Sequence, residues 1–462
     1  MSLITSISGL RGTIGGAPGE NLTPLDAVKF TAAFASLLKQ KHQTKLKIVV
    51  GRDARISGLA LKNQIISTLQ FCGVDVIDLD LATTPTVEMM VTKVKAQGGI
   101  ILSASHNPKE WNALKLFNDQ GEFISALDGQ KLLNISEQNT FDFVSVDELG
   151  TITALEDSLN YHIQKILELP MVDKKLIESV NFSVAVDGIN SVGGIAVPAL
   201  LKELGVNNIY KLNCEPTGNF AHNPEPLAEN LIDICDLVKN KQADLGIVVD
   251  PDVDRLAFID ERGEMFGEEY TLVAIADYIL ENYNNTKYNL ATVSNLSSTK
   301  ALKDIAEKYG ATYEPAAVGE VNVVAKMKSL KAIIGGEGNG GIIYPELHYG
   351  RDSLVGIALF LTYLAKQKVA VSQLRTKYPN YVMIKHKLTL VDRKEINNIF
   401  DTLKKVYASQ LFDEQDGLKI QWQDAWIHLR PSNTEAIMRL YIEASDETRA
   451  ETLLHDVLSK IN

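Results

Sequence analysis

The chain has 462 residues, of which 45% are hydrophobic and 23% charged, and its formal net charge is −12. These values are ordinary for a soluble globular enzyme of roughly three or four domains of ~100–200 residues, and the acidic balance disfavours nucleic acid, whose backbone needs a basic footprint. No run approaches the ~20 apolar residues of a membrane span, the first residues lack the basic and apolar regions of a signal peptide, and Cys72, Cys214 and Cys235 are too scattered for a disulfide framework or zinc site; the expectation is a cytoplasmic protein with reduced thiols and no membrane partner.

Residues 1–20 are glycine-rich and read as a flexible or tight-turning start that carries one cation, Arg11. Pro24 then opens a helix whose Ala27, Phe30, Ala33, Phe34 and Leu37 fall at helical spacing. Strand 46–50, helix 59–72, strand 73–79 and helix 85–94 follow, leading to an apolar strand at Ile100–Leu102. This βα alternation predicts an α/β unit with a mainly parallel sheet. Residues 119–180 are less regular, with a turn at Gly121, helices, and a break near Gly150. A second α/β set runs from strand 182–187 through helix 194–204, strand 209–212 and helix 231–239 to strand 245–249. A third comprises helix 270–282, strand 290–294, helix 299–309 and strand 332–334. The rhythm changes near residues 366–369, and the tail reads as strand 383–390, helix 393–408, strands near 417–422, 425–429 and 436–444, and a closing helix 448–461, an α+β pattern.

Three loops carry most of the chemistry. Ser103-Ala104-Ser105-His106-Asn107-Pro108 ends a buried strand in a hydroxyl, an imidazole and an amide, and a serine so placed can serve as a nucleophile when something activates it. Asp250-Pro251-Asp252-Val253-Asp254-Arg255 follows an apolar strand and puts three carboxylates at alternate positions. Such crowded acids repel one another and call for a cation, and hard oxygen ligands suit Mg²⁺. An EF-hand is excluded, because its sixth position would be Arg255 rather than Gly and an apolar run follows. Gly336-Glu337-Gly338-Asn339-Gly340 lacks the spacing of a dinucleotide fingerprint; its glycines let backbone approach a ligand, with Glu337 and Asn339 available to sugar hydroxyls.

A fourth loop, Arg430-Pro431-Ser432-Asn433-Thr434-Glu435, offers a guanidinium, hydroxyls and an amide, which can cradle a phosphate or simply close a polar hairpin. Arg11, Arg52, Arg55, His348, Arg351 and Asp352 occupy comparable turns and fit a site assembled from several parts of the chain.

Taken together and in this order, these motifs resemble the α-D-phosphohexomutase family over essentially the whole chain. The segment Gly218-Asn219-Phe220-Ala221-His222-Asn223-Pro224-Glu225-Pro226 is also similar to a family stretch. The resemblance implies four domains around a central cleft, three related α/β domains with mixed, mainly parallel sheets and a C-terminal α+β domain, here expected at 1–150, 151–256, 257–370 and 371–462. It implies interconversion of hexose 6-phosphate and 1-phosphate through a phosphoserine at Ser105 and a bisphosphorylated sugar, with a sugar 1,6-bisphosphate as activator. Mg²⁺ would lie on Ser105, Asp250, Asp252 and Asp254. Arg255 would add charge stabilisation, Arg11 matches the family's N-terminal active-site arginine, and His106 and Lys115 are the candidates for proton transfer or transition-state contacts. Glu337 and Asn339 would bind the sugar, and Arg430, Ser432, Asn433 and Thr434 the phosphate that is not reacting. The partners implied are small hexose phosphates, on a monomer or homodimer.

Two places depart from the common family pattern. The start reads Ser8-Gly9-Leu10-Arg11-Gly12, and the sugar loop ends Asn339-Gly340-Gly341, where many bacterial members carry Ser-Gly-His. The sugar loop and the His222 segment look most like the phosphoglucosamine mutase and phosphoglucomutase/phosphomannomutase subgroups. The expected reaction is glucosamine 6-phosphate to glucosamine 1-phosphate, with phosphoglucomutase/phosphomannomutase activity as the alternative; a sugar phosphatase or a non-catalytic sugar-phosphate-binding protein is more remote.

Overall fold

Strand Gly98–Leu102 is buried along its whole length, as a strand covered on both faces must be. It lies near the middle of a seven-stranded sheet ordered 4–6, 9–13, 111–117, 98–102, 47–52, 75–81, 152–154. The computed structural model that shows this describes residues 2–6, 9–284, 286–389, 395–431 and 437–461. From strand 98–102 outward, the pairings with 47–52, 75–81 and 152–154 are parallel. Those through 111–117 to 9–13 and 4–6 are antiparallel.

The antiparallel half corrects the reading of residues 1–20 as a flexible or tight-turning start. Gly9–Thr13 is a strand paired with Trp111–Phe117. Gly9 has φ +138°, and a Cβ there would sit 2.0 Å from the Leu114 carbonyl oxygen, so the glycine that suggested looseness is what lets two backbones meet. Helix Pro24–Lys41 begins where Asp26 accepts a hydrogen bond from the Thr23 backbone N–H at 3.0 Å. Its Phe30, Phe34, Leu37 and Leu38 pack over Ile48, Val50, Ile100 and Leu102.

The chain forms two compact units, residues 1–271 with 340–372, and residues 272–339 with 373–462. The segment expected as a third domain, 257–370, contributes to both. Besides the seven-stranded sheet, the first unit holds a four-stranded one ordered 256–259, 245–249, 183–187, 208–212. Its first pairing is antiparallel and the others parallel. Helix Ser353–Gln367, absent from the sequence reading, is buried at every residue from Ser353 to Ala365. Phe360 stacks on Phe258 at 3.9 Å between ring centroids. A helix apolar on all sides belongs inside the protein, and uniform hydrophobicity hides the periodicity that would announce it.

In the second unit, strand Asn289–Asn295 runs parallel to Thr312–Ala316 and Ala332–Glu337. A separate five-stranded antiparallel sheet is ordered 382–389, 437–444, 425–431, 418–421, 411–413, the expected α+β tail. Helix Glu320–Leu330 and strand Thr312–Ala316 were not anticipated.

Candidate active site

In the first unit, three chain segments deliver charge to one buried spot. Asp250, Asp252 and Asp254 follow strand Leu245–Val249, are all fully buried, and hold one carboxylate oxygen each within 4.8 Å of the others. Val253, between two of them, has φ +65°, a costly backbone for a β-branched residue. Asp250 Oδ1 accepts from the Asp254 and Arg255 backbone N–H groups, both at 3.1 Å, which ties the loop into a tight turn.

Ser105 comes from the end of strand Gly98–Leu102. It too has a left-handed backbone, φ +50°, and its Oγ donates to Asp250 Oδ2 at 2.5 Å. Its backbone N–H donates to Ser103 Oγ at 2.9 Å. The buried Arg55 guanidinium donates to the Ser105 and Asn107 carbonyls, both at 2.6 Å, and to those of Pro108 at 2.7 Å and Trp111 at 2.9 Å. One side chain thus fixes the whole serine loop. Arg55 is itself oriented by Asp53 at 3.1 Å.

Lys115 lies on strand Trp111–Phe117. Its ammonium donates to Asp252 Oδ2 at 2.6 Å and Asp254 Oδ2 at 3.0 Å. Arg351 donates to Asp254 Oδ2 at 2.8 Å, and the Thr84 hydroxyl donates to Asp252. Burial alone would push Asp254 up, but Arg351, Lys115 and Arg255 hold it well below the usual carboxylate range. Asp250 goes the other way, raised by burial and by its neighbours Asp254 and Asp252. Burial would lower Lys115, yet Asp252 and Asp254 raise it above its ordinary value, so it is a firm cation here. Burial and the charges of Arg255 and Arg11 pull His106 far below its ordinary value, leaving a neutral imidazole. Arg11 donates to Asn107 Oδ1 at 3.0 Å, at the same loop. Arg255 pairs with Glu225 at 3.3 Å, and Phe220 of the same segment lies 4.9 Å from the Arg55 guanidinium.

The residues fit a hard cation. Asp252 Oδ1 and Asp254 Oδ1 are buried with no hydrogen-bond partner among the described residues, whereas buried carboxylate oxygens are normally satisfied. An oxygen-only donor set is what Mg²⁺ prefers.

The sugar and phosphate candidates fall in the second unit. Glu337 ends strand Ala332–Glu337, buried, and accepts from Asn295 Nδ2 at 2.8 Å and the Gly319 N–H at 3.1 Å. Asn339 is half-buried. Arg430, on strand Ala425–Pro431, pairs with Asp416 at 2.7 Å. Ser432, Asn433 and Thr434 lie outside the described residues. Among the turn residues, Arg52 pairs with Asp80 at 2.9 Å. Sequence reading missed Thr84, Ser103 and the carbonyl-holding role of Arg55. The Thr83-Thr84-Pro85-Thr86 run at a helix start was the available signal for the first.

A strand-end serine thus lies against a buried aspartate triad, with Lys115 and Arg351 bound to the acids. The chain matches the four domains of the phosphoglucomutase/phosphomannomutase family in succession: α/β/α domain I over residues 4–143, domain II over 160–263, domain III over 267–381, and the C-terminal domain over 387–460. It is 36% identical over 452 residues to a phosphoglucomutase/phosphomannomutase of Thermococcus kodakarensis, covering 96% of both chains. It is 32% identical over 450 residues to a probable phosphoglucosamine mutase of Pyrococcus horikoshii, covering 97% of this chain and 95% of that one. A crystal structure of a phosphoglucomutase/phosphomannomutase family protein from Burkholderia thailandensis superposes with a TM-score of 0.84 at 24% identity, over 99% of this chain and 96% of that one. The chain belongs to the phosphoglucomutase/phosphomannomutase family, and it is a phosphohexomutase, an enzyme of the isomerase class. No helix among the described residues is long and apolar enough to cross a membrane.

Proposed function

We propose that the enzyme interconverts glucosamine 6-phosphate and glucosamine 1-phosphate through a phosphoserine at Ser105 and a bisphosphorylated sugar. The observation that carries this is the 2.5 Å contact of Ser105 Oγ with Asp250 inside a buried cluster of three aspartates and Lys115. In the first half-reaction the Ser105 Oγ–P bond breaks, the sugar hydroxyl oxygen forms the new O–P bond, and the hydroxyl proton leaves to a base; the second half-reaction reverses this from the sugar's other phosphate. Phosphoryl transfer needs positioning and charge neutralisation more than covalent help. Asp250, Asp252, Asp254 and the Ser105 oxygen would hold Mg²⁺, which supplies part of that neutralisation.

Arg55 fixes the serine loop by its carbonyls. Lys115, a cation, faces the transferring oxygens rather than taking a proton. His106 is held at the same loop, but burial, Arg255 and Arg11 pull its pKa far down and make it a weak base, so its role is a contact to the transferring group. Arg255 and Arg11 add positive charge at the serine loop. Glu337 and Asn339 would read the sugar, the Glu337 carboxylate being suited to an ammonium group. Arg430 with Ser432, Asn433 and Thr434 would seat the distal phosphate in either orientation of the sugar.

The Thermococcus relative named for glucose and mannose phosphates is more similar in sequence than the Pyrococcus relative named for glucosamine phosphate, which favours a second reading as phosphoglucomutase/phosphomannomutase. Comparing kcat/KM for the three 1-phosphates on one preparation, with the matching 1,6-bisphosphate as activator, decides between them. Glucosamine phosphate is expected to lead; a tenfold preference for glucose or mannose phosphate would establish the second reading.

A further inference from the structure

A second buried cluster lies in the first unit, made of residues with no place in the chemistry above. Asp352 caps helix Ser353–Gln367, its Oδ1 accepting from the Leu354 N–H at 2.8 Å. Its Oδ2 takes His162 Nε2 at 2.8 Å and His348 Nε2 at 3.3 Å. The outer nitrogen of His162 is also held, Nδ1 lying 2.9 Å from Thr86 Oγ1, and His348 Nδ1 lies 3.3 Å from Glu88 Oε2, an ion-pair distance. Glu88 comes so close to the chain that a Cβ on Gly350 would sit 1.8 Å from its Oε2, so Gly350 admits the carboxylate. With a carboxylate near each nitrogen, His348 is placed to bridge two acids as an imidazolium. Burial would lower it, but Asp352 and Glu88 raise it to about 10.

Both ends of this chain of groups reach the aspartate loop. Glu88 stands one helical turn beyond Thr84 on helix Thr84–Lys93, and Thr84 grips Asp252 twice, by its hydroxyl to the carboxylate and by its N–H to the carbonyl at 2.9 Å. Asp352 stands between Arg351, which holds Asp254 at 2.8 Å, and Ser353, whose N–H donates to the Val253 carbonyl at 3.2 Å. Helix Ser158–Leu167 supplies the buried His162 as the third anchor.

We propose that Glu88, His348, Asp352 and His162 form a positioning clamp that sets the aspartate loop from both sides, through Thr84 on Asp252 and through Arg351 and Ser353 on Asp254 and Val253. This rests on reading Asp250, Asp252 and Asp254 as metal carboxylates. The clamp touches neither substrate nor metal; it holds the carboxylates at the spacing a cation needs, as groups behind metal ligands commonly do.

The test is Mn²⁺ uptake by the ligand-free, full-length enzyme, followed by electron paramagnetic resonance. Wild type is compared with His348→Gln, Arg351→Met and the double variant, with folding checked by circular dichroism. His348→Gln is expected to weaken Mn²⁺ binding about tenfold, and the double variant to lose less than the two single losses combined, since part of the clamp acts through Arg351. If His348→Gln does not fold, His162→Gln, whose amide can still donate to Asp352, takes its place with a smaller loss expected. Folded variants with wild-type Mn²⁺ affinity, or strictly additive losses, would overturn the clamp while leaving the metal loop intact. Wild-type protein that takes up no Mn²⁺ would overturn the metal loop and the clamp together. A transition metal retained after Asp250, Asp252 and Asp254 are all changed to Asn, and lost on His348→Gln, would show the cluster to be a metal site and overturn the clamp.

Discussion

Asp352 and the three aspartates of the 250–254 loop, all buried in the first unit, are treated in opposite ways. Asp352 has both oxygens occupied, Oδ1 by helix N–H groups and Oδ2 by two imidazoles. The Asp250, Asp252 and Asp254 group has three acids at one spot and two buried oxygens with no hydrogen-bond partner among the described residues. A buried charged acceptor left unmet costs upwards of ~1–3 kcal/mol. The two open oxygens suit the proposed metal site, and the satisfied Asp352 suits the scaffold.

The largest effect separating the two groups is expected from Ser105→Ala. Turnover should fall to background with bisphosphate supplied, while Mn²⁺ uptake persists, weakened by the loss of one of four oxygen ligands, and the thermal midpoint stays near wild type. Robust mutase activity in that variant would remove Ser105 from the chemistry. Asp252→Asn should lower activity about 100-fold and flatten the response to added Mg²⁺; in the metal-free protein its loss of the Lys115 pair is offset by relief of the repulsion from Asp250 and Asp254, so the thermal midpoint changes less than in Asp352→Asn. Asp352→Asn should do the reverse in the metal-free protein, losing about 3 kcal/mol because it breaks a buried ion pair; differential scanning fluorimetry in EDTA reads both. Equal destabilisation by the two substitutions would erase the distinction.

A smaller effect concerns pH. The folded-state pKa of His348, about 10, exceeds its ordinary 6.5, so the folded protein binds the extra proton. Its contribution is complete below pH 6.5 and is lost as pH rises through 10. The gap in thermal midpoint between wild type and His348→Gln should therefore narrow steadily from pH 6.5 towards pH 10. Asp352, held below its ordinary 3.8 despite burial because of His162 and His348, contributes above that value and is lost only as pH falls through its lowered pKa. A gap that is constant from pH 6.5 to 10 would show that His348 gains no proton on folding.

Much of the α/β pattern was legible because strands such as 98–102 and 245–249 are short apolar runs between turn residues. The antiparallel start was not, since Gly9–Thr13 becomes a strand only beside residues a hundred positions later. Helix 353–367 escaped because apolar residues all round it leave no face to detect. At the site, the serine loop and the aspartate loop were visible as motifs, and the family match covers both. Lys115 and Arg351 could be noted as charges, but their attachment to Asp252 and Asp254 could not.

The sequence by itself determined the local chemistry: a hydroxyl at a strand end, three acids at alternate positions and a glycine-rich turn with Glu337 and Asn339 are all set by neighbours within a few residues. Only the tertiary structure decided what each charge meets. Ser105 and Asp250 are 145 positions apart, and His162 and Asp352 are 190 apart, and spacing along the chain carries no information about such pairs. The pairing decides function here, because inside a protein of low polarisability the partner of a carboxylate determines whether it is satisfied scaffold or an open ligand.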